Sequence, residues 1–297
     1  IRRTIPDDML ITLGNNSGMQ NCIQRSVLKP DQHVVVNYNS GSMGYDLPAA
    51  VGVACAMKRD VLCVTGDGSI MMNLQELQTI KHYDLPVKVI IMSNAIDINS
   101  FLYDRKRREK IHKDSNLLSN EAVVGHIGRF VSQKNHIFLI KVFQRLLELR
   151  SCCILWLIGD GPLRKEIELE VQRRQLEDRV IFWGEQKNVS GFLQGMDIML
   201  FPSFYEGLSV TLVEAQTSDL QILASDNISK EHQLTDAIRF FPLSAEADAW
   251  AKEANIMLNE VRNRKNRLLE IRNAGYDILT EAQKLEHFYK SVISKEG

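Results

Sequence analysis

The stretch Ile198-Met-Leu-Phe-Pro-Ser-Phe-Tyr-Glu206-Gly-Leu-Ser-Val-Thr-Leu-Val-Glu214-Ala215 decides how the second half of the chain reads. The apolar run Ile198–Phe201 predicts a buried strand, because a strand covered on both faces shows no polar alternation. A loop carrying Glu206 follows, and Gly207 lacks the Cβ that would hold a ligand away from the backbone. Leu208 and Ser209 then open a helix whose first amides have no partner inside the helix and so favour an anion. Glu214 lies farther along, its side chain tilted back toward the same helix end. Carboxylates accept hydrogen bonds from vicinal hydroxyls, so the pair suits a ligand that is both anionic and polyhydroxylated.

Upstream, the run His126-Ile-Gly128-Arg129-Phe ends a strand at Ala122–Ile127, and Gln133-Lys134-Asn135 follows. Arg129 sits just past the carboxyl end of a parallel strand, where α/β sheets bind ligands. Lys134 is expected to open the next helix. Arginine offers a planar fork and lysine a point charge, a combination that suits a diphosphate. Two more strand-end turns, Ile158-Gly-Asp160-Gly-Pro162 and Ile181-Phe-Trp-Gly184, fall between these motifs.

Short apolar runs alternate with helical patterns, which predicts parallel α/β sheets. The expected strands are Leu10–Leu13, His33–Val36, Val61–Thr65, Val87–Met92, Ala122–Ile127, Ile154–Ile158, Val180–Trp183, Ile198–Phe201 and Gln221–Ala224. Between them, Leu139, Val142, Phe143 and Leu146 form one stripe of a helix over His136–Leu149. Leu163, Ile167 and Val171 mark another, with Pro162 in its first turn. From Ala245 to Ser294 the chain reads as two or three helices, broken near Asn273–Gly275.

From Ala95 onward these motifs, in this order, resemble the donor-binding C-terminal domain of family-4-type glycosyltransferases of the GT-B fold. The resemblance implies a Rossmann-like domain with its core at about 121–244 and bracing helices at 245–294. It implies that Gly128, Arg129, Lys134, Gly207, Leu208 and Ser209 hold the diphosphate of a nucleotide sugar, that Glu206 contacts the sugar and that Glu214 contacts the ribose. Arg129, Lys134 and Glu206 are its expected catalytic residues. Transfer is expected to retain anomeric configuration and to need no metal, and no Asp-x-Asp is present. A UDP-sugar donor and a glycan or lipid-linked acceptor are favoured.

Residues 1–94 read differently. Asn39-Ser-Gly41-Ser42-Met43-Gly-Tyr-Asp-Leu-Pro-Ala-Ala50, Gly66-Asp67-Gly68-Ser69 and Asn94 resemble the diphosphate-binding domain of thiamine-diphosphate enzymes, in the manner of acetolactate synthase. Asp67 and Asn94 lie 27 positions apart, the separation of that family's two metal-ligating side chains. The resemblance implies that these two held Mg²⁺ and that Gly41, Ser42, Met43, Gly66, Gly68 and Ser69 lined the cofactor. Position 93 is Ser where that family has a first Asn. The chain departs from the family after Asn94, and no domain carrying the activating glutamate is present. The expectation is a truncated, vestigial unit in which thiamine diphosphate and Mg²⁺ bind weakly or not at all. The chain thus reads as a chimera of genomic, assembly or engineered origin, with a glycosyltransferase impaired by loss of its acceptor domain. The alternatives are a thiamine-diphosphate-dependent fragment and a non-catalytic chimera.

Composition fits a soluble two-domain chain: 297 residues, 44% hydrophobic and 25% charged. A formal charge of −1 argues against nucleic acid as a partner. The locally basic run Arg105–Lys113 reads as a solvated face, with peripheral membrane contact as the runner-up. The five cysteines show no metal-ligand spacing. With no signal-peptide pattern and no run near the ~18–20 apolar residues of a membrane span, the expected location is cytoplasmic. Tyr276, Leu279, Phe288 and Tyr289 are expected to expose apolar surface that favours self-association.

Overall fold

The computed structural model describes residues 8–14, 30–37, 40, 42–92, 94–260 and 263–293, excepting the side chains of 285 and 288–293. The chain divides into two compact units, Ile1–Ala95 with Ile278–Gly297, and Ile96–Asp277. The sequence reading kept all the C-terminal helices with the second unit. The structure instead groups the last one with the first, an assignment that tertiary contacts make and helical periodicity does not encode.

In the first unit, β1 (Leu10–Leu13), β2 (His33–Val36), β3 (Val61–Gly66) and β4 (Val87–Met92) form a parallel sheet in the order β2-β1-β3-β4. Helices α1 (Asp46–Met57), α2 (Asp67–Met72) and α3 (Glu76–His82) accompany it. Alternate residues face opposite ways, as a pleated strand requires. Leu10, Val61 and Cys63 pack with Leu47, Ala50 and Ala54 of α1, whereas Ile11, Leu62 and Val64 join a second cluster.

The second unit opens with α4 (Ile98–Phe101) and α5 (Arg105–Asp114). Its strands are β5 (Ala122–Ile127), β6 (Cys153–Ile158), β7 (Val180–Gly184), β8 (Ile198–Phe201), β9 (Gln221–Ser225) and β10 (Ile238–Phe241). They are parallel, in the order β10-β9-β8-β5-β6-β7. This is a doubly wound order whose direction reverses between β5 and β8. Helices α6 (His136–Leu149), α7 (Arg164–Arg173), α8 (Val189–Gly195) and α9 (Val210–Thr217) link the strands. Val124, Leu155, Leu157, Leu200 and Leu223 face one core with α6, while Val123, Trp156, Met199, Phe201 and Ile222 face the other with α8 and α9. Strand β10 was not expected from the sequence. Among the described residues it pairs only with β9, and just one of its four residues, Ile238, is fully buried.

The tail continues as α10 (Ala247–Asn259), α11 (Leu268–Asn273) and α12 (Ile278–Ile293), with Gly275 at φ +88 separating the last two. Tyr276 packs against the cluster of Ile96, Ile98, Val213 and Ile271, so it does not belong to an exposed apolar patch. Leu279 is exposed, and the side chains of Phe288 and Tyr289 lie outside the described residues. Among the described residues no helix is long and apolar enough to cross a membrane.

Candidate functional site

Glycines build the platform. Gly159 has φ +130, and a Cβ there would lie 2.1 Å from the Gly128 carbonyl oxygen. A Cβ on Gly161 would lie 2.6 Å from the Phe130 oxygen. The Gly128 amide donates to Ile158 O at 3.0 Å, that of Phe130 to Asp160 O at 2.9 Å, and that of Gly159 to Gly184 O at 2.8 Å. The turns after β5, β6 and β7 therefore close on one another backbone to backbone, which only a missing side chain permits.

Arg129 leaves this closed turn at the end of β5. It is exposed, and its side chain has no partner among the described residues. Lys134 does not open α6. It ends a 3₁₀ turn, Ser132–Lys134, and Asn135 then takes a left-handed conformation at φ 56 before the helix starts at His136. Asparagine tolerates that conformation, and its Nδ2 donates to Pro202 O at 3.2 Å.

The loops after β5 and β8 are stitched together. Gln133 Nε2 donates to Tyr205 O at 2.8 Å, and the Phe204 amide donates to Gln133 O at 2.9 Å. Lys134 Nζ donates to Glu206 Oε1 at 2.7 Å, with the two side chains only 14% and 7% exposed. The ammonium also lies 4.8 Å from the centre of the Phe201 ring, a favourable cation–π placement. Cation and carboxylate thus meet at the switch point of the sheet, where doubly wound folds bind ligands. A Cβ at Gly207 would meet nothing within 4 Å, so no described neighbour requires glycine there.

Glu214 sits on the second turn of α9, half-buried, with no side-chain partner among the described residues. Desolvation pushes its carboxyl up to about 7. Leu208 is half-buried and Ser209 buried at the start of that helix. The Ser209 amide is not free for an anion, because it donates to His232 Nε2 at 3.0 Å.

Three histidines that sequence reasoning passed over support these loops. His126 Nδ1 lies 2.9 Å from Leu200 O, and since a carbonyl can only accept, Nδ1 carries the proton. Its Nε2 and both nitrogens of His136 are buried and have no partner among the described residues. The two rings stand edge to face, 4.7 Å apart. Burial, then Lys134, pushes His136 down to about 4, and burial, then His136, holds His126 well below the usual imidazole range. The floor under Lys134 is therefore uncharged. The available signal was proximity, two residues before Gly128 and two after Lys134.

In the first unit, the Gly44 amide donates to Ser69 Oγ at 2.7 Å, and Ser69 Oγ donates to buried Asp46 Oδ1 at 2.9 Å. Asn73 Nδ2 donates to Gly44 O at 2.6 Å. Met43 Cε lies 2.9 Å from where a Gly68 Cβ would stand. The segments around Met43 and Gly66–Ser69 thus meet, with Ser42 beside them, while Gly41, Asn39 and Ser93 lie outside the described residues. Register pairs Gly66 with Met92, which puts Asp67 and Asn94 on neighbouring strand ends. Asp67 Oδ1 already accepts from Gly68 N at 2.8 Å, and the Ile96 amide beyond Asn94 donates to Tyr276 O. Among the described residues no group of three or more His, Cys, Asp or Glu side chains converges on a metal position. Mg²⁺ needs only one or two protein side chains where phosphate and water complete its shell, so Asp67 and Asn94 would be the residues to hold it.

Comparison with known proteins gives the same division. Residues 107–273 match the family model for glycosyl transferases group 1, and residues 12–99 match that for the C-terminal TPP binding domain of thiamine pyrophosphate enzymes. The chain is a chimera of the two. It is 35% identical over 144 residues to the putative glycosyltransferase EpsF of Bacillus subtilis, covering 48% of this chain and 38% of that protein. It is 37% identical over 90 residues to the acetolactate synthase isozyme 2 large subunit of Escherichia coli, covering 30% of this chain and 16% of that one. The chain thus spans well under two-thirds of either relative. In fold, it resembles a crystal structure of Anabaena Alr3699/HepE in complex with UDP, with a TM-score of 0.67, 15% identity, and coverage of 96% of this chain and 100% of that one.

Proposed function

Because the chain belongs to the glycosyl transferases group 1 family, we propose that its second unit binds a nucleoside-diphosphate sugar for glycosyl transfer. The observation that carries this reading is the meeting of Lys134 and Glu206 across β5 and β8. In the proposed complex, Arg129 and Lys134 hold the diphosphate and Glu206 turns to the sugar hydroxyls. Glu214, which has no partner among the described residues, takes the ribose. As the glycosidic bond breaks, negative charge grows on the departing diphosphate. Cations already fixed there lower the barrier rather than merely tightening binding.

Retention of configuration, without a metal, is the expected course, with leaving-group stabilisation and positioning supplying the catalysis. UDP is favoured as the nucleotide because a protein of the same fold is described with UDP bound, and a glycan or lipid-linked acceptor is the expected partner. Titration calorimetry with UDP, GDP and ADP, beside thiamine diphosphate plus Mg²⁺, tests the reading. A nucleoside diphosphate should bind, and Lys134→Ala should abolish that binding. A response to thiamine diphosphate alone, lost in Asp67→Ala, would overturn it.

A further inference from the structure

His232 ends a 3₁₀ turn, Lys230–His232, after β9 and is 4% exposed. Its Nδ1 lies 2.9 Å from Ser229 O, so Nδ1 carries a proton whatever the charge of the ring. Its Nε2 stands between two groups of opposite kind, the Ser209 amide at 3.0 Å and the Gly207 carbonyl oxygen at 2.9 Å. One nitrogen cannot serve both. Neutral, Nε2 has a lone pair, accepts from Ser209 N–H and faces the Gly207 oxygen repulsively. Protonated, it donates to Gly207 O and turns away the Ser209 amide. Each state leaves one backbone group of the same loop unmatched.

The backbone around His232 is tied down. Gln216 Nε2 donates to His232 O at 2.7 Å, and Gln216 Oε1 accepts from the amides of Leu234 and Thr235, each at 3.0 Å. Gln216 is on α9, as is Glu214, so the turn holding His232 is fixed to the helix it controls.

We propose that His232 is a positioning residue that sets, by its protonation, whether the Ser209 amide is available to a bound diphosphate. This rests on the donor-site reading above. With His232 neutral, the amide is spent inside the protein. With it protonated, the amide is released toward the anion, and the imidazolium adds a positive charge behind the Gly207–Ser209 loop. Diphosphate affinity therefore rises when His232 takes up a proton, and by linkage the bound anion holds that proton in place. The other charged groups on the surrounding elements are Lys230 and Glu231 on its own turn, and Glu206 and Glu214 from the α9 side. Asp226 follows β9, and Asp236 is paired with Arg267.

The test is calorimetry of inorganic pyrophosphate and of UDP between about pH 5.5 and about pH 8.5, the span of imidazole titration, on wild type and His232→Gln. Glutamine keeps a polar group but does not titrate, and the ionisation of the ligand and of the other residues cancels between the proteins. Wild type should tighten more than the variant toward acid pH, by about tenfold, the scale of one charge-assisted hydrogen bond. If His232→Gln does not fold, nitrogen NMR of the histidine in wild type decides. Nε2 should gain its proton on acidification, and at higher pH when pyrophosphate is present. Equal pH slopes in both proteins, or an Nε2 indifferent to pyrophosphate, overturn the gate while leaving the donor site standing. Failure of UDP to bind at any pH overturns both.

Discussion

Lys134 Nζ and Glu206 Oε1, from loops seventy-two residues apart in sequence, lie 2.7 Å from each other at the point where the strand order reverses. Each neutralises the other in the free protein. In the proposed donor complex one ion pair is exchanged for two new sets of contacts, and the pairing keeps both groups in place until that exchange.

Removing only one partner leaves the other buried and uncompensated. Lys134→Met should cost about 3 kcal/mol of stability, the lower end of the range for broken buried pairs, and should abolish UDP binding. The double variant Lys134→Met with Glu206→Leu should regain most of the stability in urea unfolding but none of the binding. Recovery of binding in the double variant would show that the pair is structural.

Glu214 should make the free protein sensitive to alkali. Its carboxyl is raised to about 7 from 4.5, so the folded state binds the proton more tightly than the unfolded state. The charged form therefore penalises folding increasingly as pH rises from the unfolded value through the folded one. Glu214→Gln should melt higher than wild type at about pH 8, equal it below about pH 4.5, and bind UDP at least tenfold more weakly.

His136 acts with the opposite sign. Its imidazole is lowered to about 4 from 6.5, so its stability contribution is complete above the unfolded value and is lost as pH falls through the folded one. The difference is at most about 3 kcal/mol. His136→Phe should reduce the acid dependence of the melting temperature between those limits, and an unchanged acid limb would show that His136 titrates normally.

Gly159→Ala should be among the most damaging single methyl additions in the second unit. The new Cβ would meet the Gly128 oxygen at 2.1 Å with φ at +130, so backbone, not a flexible side chain, has to move. A loss of several kcal/mol in urea unfolding is expected, with UDP binding falling because Arg129 follows the displaced residue. Gly207→Ala, in open space, should keep its stability and lose only UDP affinity.

Much of the architecture was legible because it is written locally. Short apolar runs marked the strands from Leu10 to Gln221, and a one-sided apolar stripe marked the helix His136–Leu149, with nearly their observed limits. The glycines of 159–161 marked a turn correctly, although the sequence could not say that they serve as a backbone-on-backbone joint. Edge strand β10 was missed because four residues with a single strand neighbour leave too short a pattern to read.

The amino-acid sequence by itself determined two parallel α/β units of different ancestry, and the loops that carry cations and carboxylates, because hydrophobic period and turn chemistry act over a few residues. Only the tertiary structure decided which side chains satisfy one another. It paired Lys134 with Glu206, left Glu214 without a partner among the described residues, buried His126 and His136 beneath the cation, and set His232 between an amide and a carbonyl. The reason is distance along the chain. Hydrogen bonds and desolvation depend on where groups separated by tens of residues come to rest, and no local pattern fixes that.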